Sequence, residues 1–127
     1  MAIIRIMEES EATGRVKAVF DEIKSTLQVP FVPELFRALG HKPERLEAFW
    51  AQVKSLYNSG PLDIRTKMML ALAVAAAQGN SYFVKVQGIV LKRLAVSDEE
   101  ISQVLEIAGL AASLNLLVSG LGLEPEL

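Results

Sequence analysis

Apolar residues recur at three-and-four spacing over most of the chain, with polar residues on the opposite faces, as in amphipathic helices that bury one side. Val16, Val19, Phe20, Ile23 and Leu27 form such a stripe and predict a helix over about 12–27, whose other face carries Arg15, Lys17, Asp21, Glu22 and Lys24. That helix cannot run on through 28–33, because Pro30 and Pro33 lack amide donors and bias the residues before them towards extended geometry. Pro33 is placed to open a short second helix to Leu39, ended by Gly40. Pro43 opens a third in the same manner, with Leu46, Phe49, Trp50, Val53, Leu56 and Tyr57 as a broad apolar side.

Asn58-Ser59-Gly60-Pro61 reads as a turn, and Asp63 as the N-cap of a fourth helix. Within it 68–77 is apolar on every side, which predicts a central helix enclosed by others. Gly79 ends that helix, and Asn80 or Ser81 caps a fifth running to about Leu94, with Val84, Ile89, Val90 and Leu91 among its buried candidates. Ser97-Asp98-Glu99-Glu100 is a capping box that opens a last helix, from about Asp98 to Leu117 or beyond. Ala108, Gly109, Ala111 and Ala112 make part of it smooth enough for another helix to approach closely. No window shows the sustained alternation of a half-buried strand. The expected fold class is therefore all-α: a bundle of about six helices in a single domain over 1–127, without linker, low-complexity tract or internal repeat.

Composition then narrows the chemistry. The chain has no cysteine, so disulfides, thiolate metal sites and cysteine nucleophiles are all excluded, and its one histidine, His41, leaves no partner for a multi-histidine metal site. No metal or other cofactor is expected. A hydrophobic share of 51% and a mean hydropathy of +0.33 exceed what a small monomer needs. Buried contacts between copies of the chain are the expected outlet. The net charge of −2 and a pI of about 5.4 give no basic footprint for nucleic acid. Residues 1–7 are interrupted by Arg5 and followed by Glu8, Glu9 and Glu11, unlike a targeting segment, which points to the cytoplasm. The longest uninterrupted apolar run, 68–77, falls well short of the ~20 residues of a membrane span, so no membrane association is expected.

The succession Leu35-Phe36-Arg37-Ala38-Leu39, Pro43-Glu44, Phe49-Trp50, Pro61-Leu62-Asp63, Leu70-Ala71-Leu72-Ala73-Val74-Ala75-Ala76, Gly79 and Ser97-Asp98-Glu99-Glu100-Ile101 resembles the AhpD-like alkylhydroperoxidase branch of the carboxymuconolactone decarboxylase family, over nearly the whole chain. The resemblance implies an all-helical subunit assembling into trimers or hexamers, with a pocket between helices near a subunit interface. Peroxidase members of that family carry a Cys-x-x-Cys pair at the start of the fifth helix, a histidine four residues after the second cysteine and a glutamate twelve before the first. A helix N-terminus favours thiolate, a second thiol resolves the sulfenate, and Glu and His move protons.

Laid on this chain, the pattern puts Asn80 and Phe83 at the cysteine positions, Gln87 at the histidine and Met68 at the glutamate, with Tyr82 between the two lost thiols. Thiol peroxidase chemistry is thereby excluded. Decarboxylase members resemble a site using Glu and His for proton transfer, and neither residue stands at those positions here. Ala12-Thr13-Gly14, Phe20-Asp21-Glu22-Ile23-Lys24-Ser25-Thr26-Leu27 and Val29-Pro30-Phe31-Val32-Pro33 also resemble cofactor-free 2-haloacid dehalogenases, which are similar to two such units fused and use an aspartate to activate water. One unit is present here, and no aspartate falls on a matching position.

Met68, Asn80, Tyr82, Phe83 and Gln87 are thus the candidate pocket residues, suited to a small uncharged ligand, with no catalytic residue assigned. Each also has a plain structural role. Tyr82 either packs with its tip hydrogen-bonded or offers its hydroxyl to a ligand, and Gln87 either satisfies a buried neighbour or orients a polar group. Lys85 is either solvated or a base with a lowered pKa, His41 a surface or capping residue, and Met68, Met69 and Met7 adaptable core filling. Two functions are compatible with these residues. One is a non-catalytic ligand-binding or assembly module, and the other a cofactor-free enzyme reusing the same cleft.

Overall fold

The structure is a computed structural model that describes residues 2–126. Among them it is all-α, with six helices and no strand. The chain divides into two compact units, the first ending at Ile64 and the second beginning at Arg65.

In the first unit a single 3-10 turn, Glu9–Glu11, precedes α1 (Gly14–Leu27), α2 (Glu34–Leu39) and α3 (Pro43–Asn58). Helix α1 starts two residues later than the periodicity suggests, and the 3-10 turn before it leaves no mark in that periodicity. Glu8 and Glu11 cap each other's backbone in that turn. Val16, Phe20, Ile23 and Leu27 of the predicted stripe are buried, Val19 only partly. Leu46 and Trp50 bury the α3 side, while Phe49 and Leu56 are exposed, so its apolar side is broader than the part it packs.

Phe36 from α2 meets Trp50 edge-on at 5.6 Å between ring centroids, a favoured aromatic geometry. Arg15 on α1 ion-pairs with Glu47 and, at 3.3 Å, with Glu44, both on α3. Arg37 fastens the N-terminal segment by donating to the backbone oxygens of Val32 at 3.1 Å and Met7 at 3.3 Å. Gly40 does follow α2, but not as a left-handed cap: its φ is −60°. Space is its reason, since a Cβ there would lie 2.8 Å from Met7 Sδ and 3.3 Å from Phe20 Cζ.

The second unit holds most of α4 (Ile64–Ala77), then α5 (Ser81–Arg93) and α6 (Asp98–Leu121). Gly79 takes φ +68° after α4, and the Asn80 and Gly79 amides return to the Ala75 and Ala76 carbonyls, closing a Schellman motif. Ala95 plays the same part after α5 at φ +62°, with the Val96 amide reaching the Leu91 oxygen at 3.0 Å. The Ser97–Glu100 capping box forms as expected, each partner at 3.1 Å. Arg65 at the start of α4 donates to the Ala95 oxygen at 3.3 Å and pairs with Glu100 at 3.5 Å, tying α4 to the α5–α6 corner.

One expectation needs correction. Helix α4 is not enclosed on every side: Met68, Leu72 and Ala75 are buried, but Leu70 and Val74 are 54% and 56% exposed. Uniform apolarity marks burial only where neighbours exist on every side. Helix α6 reaches Leu121 and has no buried residue, and it is long and apolar enough to cross a membrane by length and composition. Its apolar run is not continuous, because Ser113, Asn115 and Ser119 break it without making the helix polar.

Candidate functional site

Four of the five candidate residues lie at the N-cap and in the first two turns of α5, and Met68 stands on α4. Gly79 turns the chain out of α4, and its positive φ is the conformation that a glycine adopts without strain. Asn80 then sits in extended geometry as the N-cap, accepting from the Phe83 amide through Oδ1 at 3.1 Å. Ser81 is thus the first helical residue rather than the cap. Helical spacing puts Asn80, Phe83 and Gln87 on one face, at steps of three and four. Tyr82 and Phe83 meet edge-on, their ring centroids 5.1 Å apart.

Met68 lies in the second turn of α4 and is 1% exposed, so its thioether serves as packing. Gln87 is buried, at 8% exposed, and its Oε1 has no hydrogen-bond partner among the described residues. A buried acceptor left unmet costs ~1–3 kcal/mol. Of the two roles open to Gln87, satisfying a buried neighbour is therefore not filled by that oxygen. Phe83 and Tyr82 are half-buried and Asn80 is exposed.

The electrostatics of this end are neutral. The first turn of α5 holds no charged residue; Lys85 follows in the second turn, and Lys92 and Arg93 fall in the last. The amides of a helix N-terminus are a ready anion site, yet here Asn80 occupies one of them from within the chain. Lys85 is exposed, as a solvated lysine should be, and His41 is exposed in the first unit. No group of three or more metal-ligating side chains occurs among the described residues. What the arrangement offers chemically is the half-buried rings of Tyr82 and Phe83 and the buried amide acceptor of Gln87, with Met68 packed away on α4.

A family model described as the carboxymuconolactone decarboxylase family matches residues 43–122. The chain is similar to the crystal structure of the alkylhydroperoxidase AhpD core from Rhodospirillum rubrum, with a TM-score of 0.89 and 33% identity over 99% of this chain and 95% of that one. It is also 33% identical to an (R)-2-haloacid dehalogenase of Pseudomonas putida over 72 residues, 53% of this chain. That match covers only 24% of the dehalogenase, so this chain spans about a quarter of that relative's length.

Proposed function

The chain belongs to the carboxymuconolactone decarboxylase family, and from that premise we propose that it is an AhpD-like, homo-oligomeric cytoplasmic protein that binds a small uncharged ligand without thiol peroxidase activity. Met68, Asn80, Tyr82, Phe83 and Gln87 line the proposed pocket. The observation that carries this reading is Gln87: a buried amide oxygen without a partner is a place for a neutral hydrogen-bond donor beside apolar walls. Charge is disfavoured there for two reasons. No ionisable side chain stands among the five residues except the Tyr82 phenol, and the Asn80 cap takes up one amide that would otherwise receive an anion.

The chemistry of the thiol members has no residue to run on, since nucleophile, resolving thiol, acid and base are replaced together. Purified protein given an organic hydroperoxide and a dithiol reductant should consume no peroxide above a protein-free control. Crystals grown from protein never exposed to additives should show density against Tyr82 and Gln87. A cleft filled by Phe83 and Met68 side chains would end the binding proposal. The match to the dehalogenase favours a second reading, hydrolysis in the same cleft, and chloride release from 2-chloropropionate tests it directly.

A further inference from the structure

Helix α6 leaves Ile107, Leu110, Leu114, Leu116, Leu117, Val118 and Leu121 between 47% and 74% exposed, and Leu123 beyond its end 57%. No charge interrupts the stretch between Glu106 and Glu124. The Ser113 hydroxyl within it is already spent on the Gly109 oxygen at 3.0 Å. Covering those side chains removes on the order of 600 Å² of apolar surface per copy. A standard interface takes ~800 Å² per partner, of which a little over half is apolar, so α6 alone supplies the apolar part of one.

Resting on the homo-oligomeric reading above, we infer that α6 of one copy lies parallel along the exposed Leu70–Val74 face of α4 in a second copy. Three observations choose this occupant. Leu70 and Val74 stand one turn apart and exposed, with Ala73 and Ala77 beside them, and α6 offers Leu110 and Leu114 at the same spacing beside Gly109, Ala111 and Ala112. Charge sets the direction. Lys67 lies just before the exposed pair on α4 and Glu106 just before the pair on α6, so a parallel alignment sets opposite charges together while an antiparallel one separates them. The flanks also argue against lipid: Asp98, Glu99, Glu100 and Glu106 precede the apolar stretch, Glu124 and Glu126 follow it, and residues 94–127 hold no Lys, Arg, Trp or Tyr.

The lack of native cysteine makes the test direct. Leu70→Cys and Leu110→Cys chains, carrying different tags, are mixed, allowed to exchange subunits and oxidised mildly. The expected product is the mixed disulfide between the two tags. A disulfide predominantly between two Leu110→Cys chains, or none while light scattering still shows an oligomer, overturns the α4–α6 pairing but leaves the oligomer standing. A monomer at micromolar concentration by light scattering overturns both. Flotation of the untagged chain with phosphatidylcholine–phosphatidylglycerol vesicles overturns the pairing in favour of lipid. The double variant Leu110→Glu/Leu114→Glu should weaken association by roughly a hundredfold while its far-ultraviolet circular dichroism stays unchanged.

Discussion

Glu22 on α1 and Trp50 on α3 are joined by one hydrogen bond, the indole Nε1 donating to Glu22 Oε1 at 3.0 Å, and the same oxygen receives Lys54 Nζ at 2.6 Å. The buried indole thus finds its partner in a carboxylate at the rim of the first unit. Lys54 first, and the indole second, hold the Glu22 carboxyl below the usual range. At Glu9 burial pushes the other way, but the Val32 amide and Lys24 outweigh it and the net shift is again downward.

Both carboxyls bind protons more weakly in the folded chain than in the unfolded one. The stability they contribute is therefore present above the ordinary carboxylate range and is lost as pH falls through that range to their depressed folded values. Urea unfolding followed from pH 7 down to pH 3 should show the midpoint falling. Glu22→Gln should start lower at pH 7 and fall less steeply. Parallel curves for the two proteins would show that this contact carries no pH-dependent stability.

Gly40 is fixed by crowding rather than by backbone conformation. A Cβ would sit 2.8 Å from Met7 Sδ, 3.2 Å from the Arg37 carbonyl and 3.3 Å from Phe20 Cζ. The thioether can swing aside, but the carbonyl belongs to α2 and Phe20 is 2% exposed. Gly40→Ala should cost about 1–3 kcal/mol, measured by chemical denaturation. An unchanged midpoint would mean that the N-terminal segment yields freely.

Helix existence was legible in the chain because the 3.6-residue period is strong, and helix ends were legible where a residue announces them. Gly79 and Ser97 do so; Gln28 and Ala95 do not, although both take the left-handed cap position at φ +55° and +62°. Packing closes those turns at the expense of local preference. At the site, a cap at Asn80 or Ser81 could be read from the side chains and Gly79 before them, and the structure places it at Asn80. The unmet oxygen of Gln87 could not, because periodicity assigns a face but not the partners on it. The bare faces of α4 and α6 were illegible for a related reason: an apolar helix reads alike whether its neighbours lie in the same chain or outside it.

Ala95 follows α5 with its carbonyl accepting from Arg65 at 3.3 Å, so the left-handed turn is held in place from α4. A left-handed alanine carries ~1–2 kcal/mol of backbone strain, and glycine relieves it while adding ~0.5–1 kcal/mol of lost unfolded-state freedom. Ala95→Gly should stabilise the chain by about 0.5–1 kcal/mol and raise its melting temperature. A loss of stability would show that the methyl group packs usefully in the α5–α6 corner.

Asn80 gives the most direct way to separate capping from ligand binding at the start of α5. Its Oδ1 meets the Phe83 amide at 3.1 Å, and Asn80→Ala leaves that donor to water, at a cost of about 1 kcal/mol. Asn80→Asp keeps an acceptor in place and sets a negative charge at the helix N-terminus, which favours it by a further ~0.3–1 kcal/mol. At pH 7 thermal unfolding should rank Asp at or above the native Asn, with Ala lowest. At pH 3, where the introduced carboxyl takes up a proton, the advantage of Asp over Asn should shrink or vanish while the deficit of Ala persists. If Ala matches the native protein at both pH values, the cap bond contributes nothing to stability, and the preference for Asn at this position has to come from what the pocket holds.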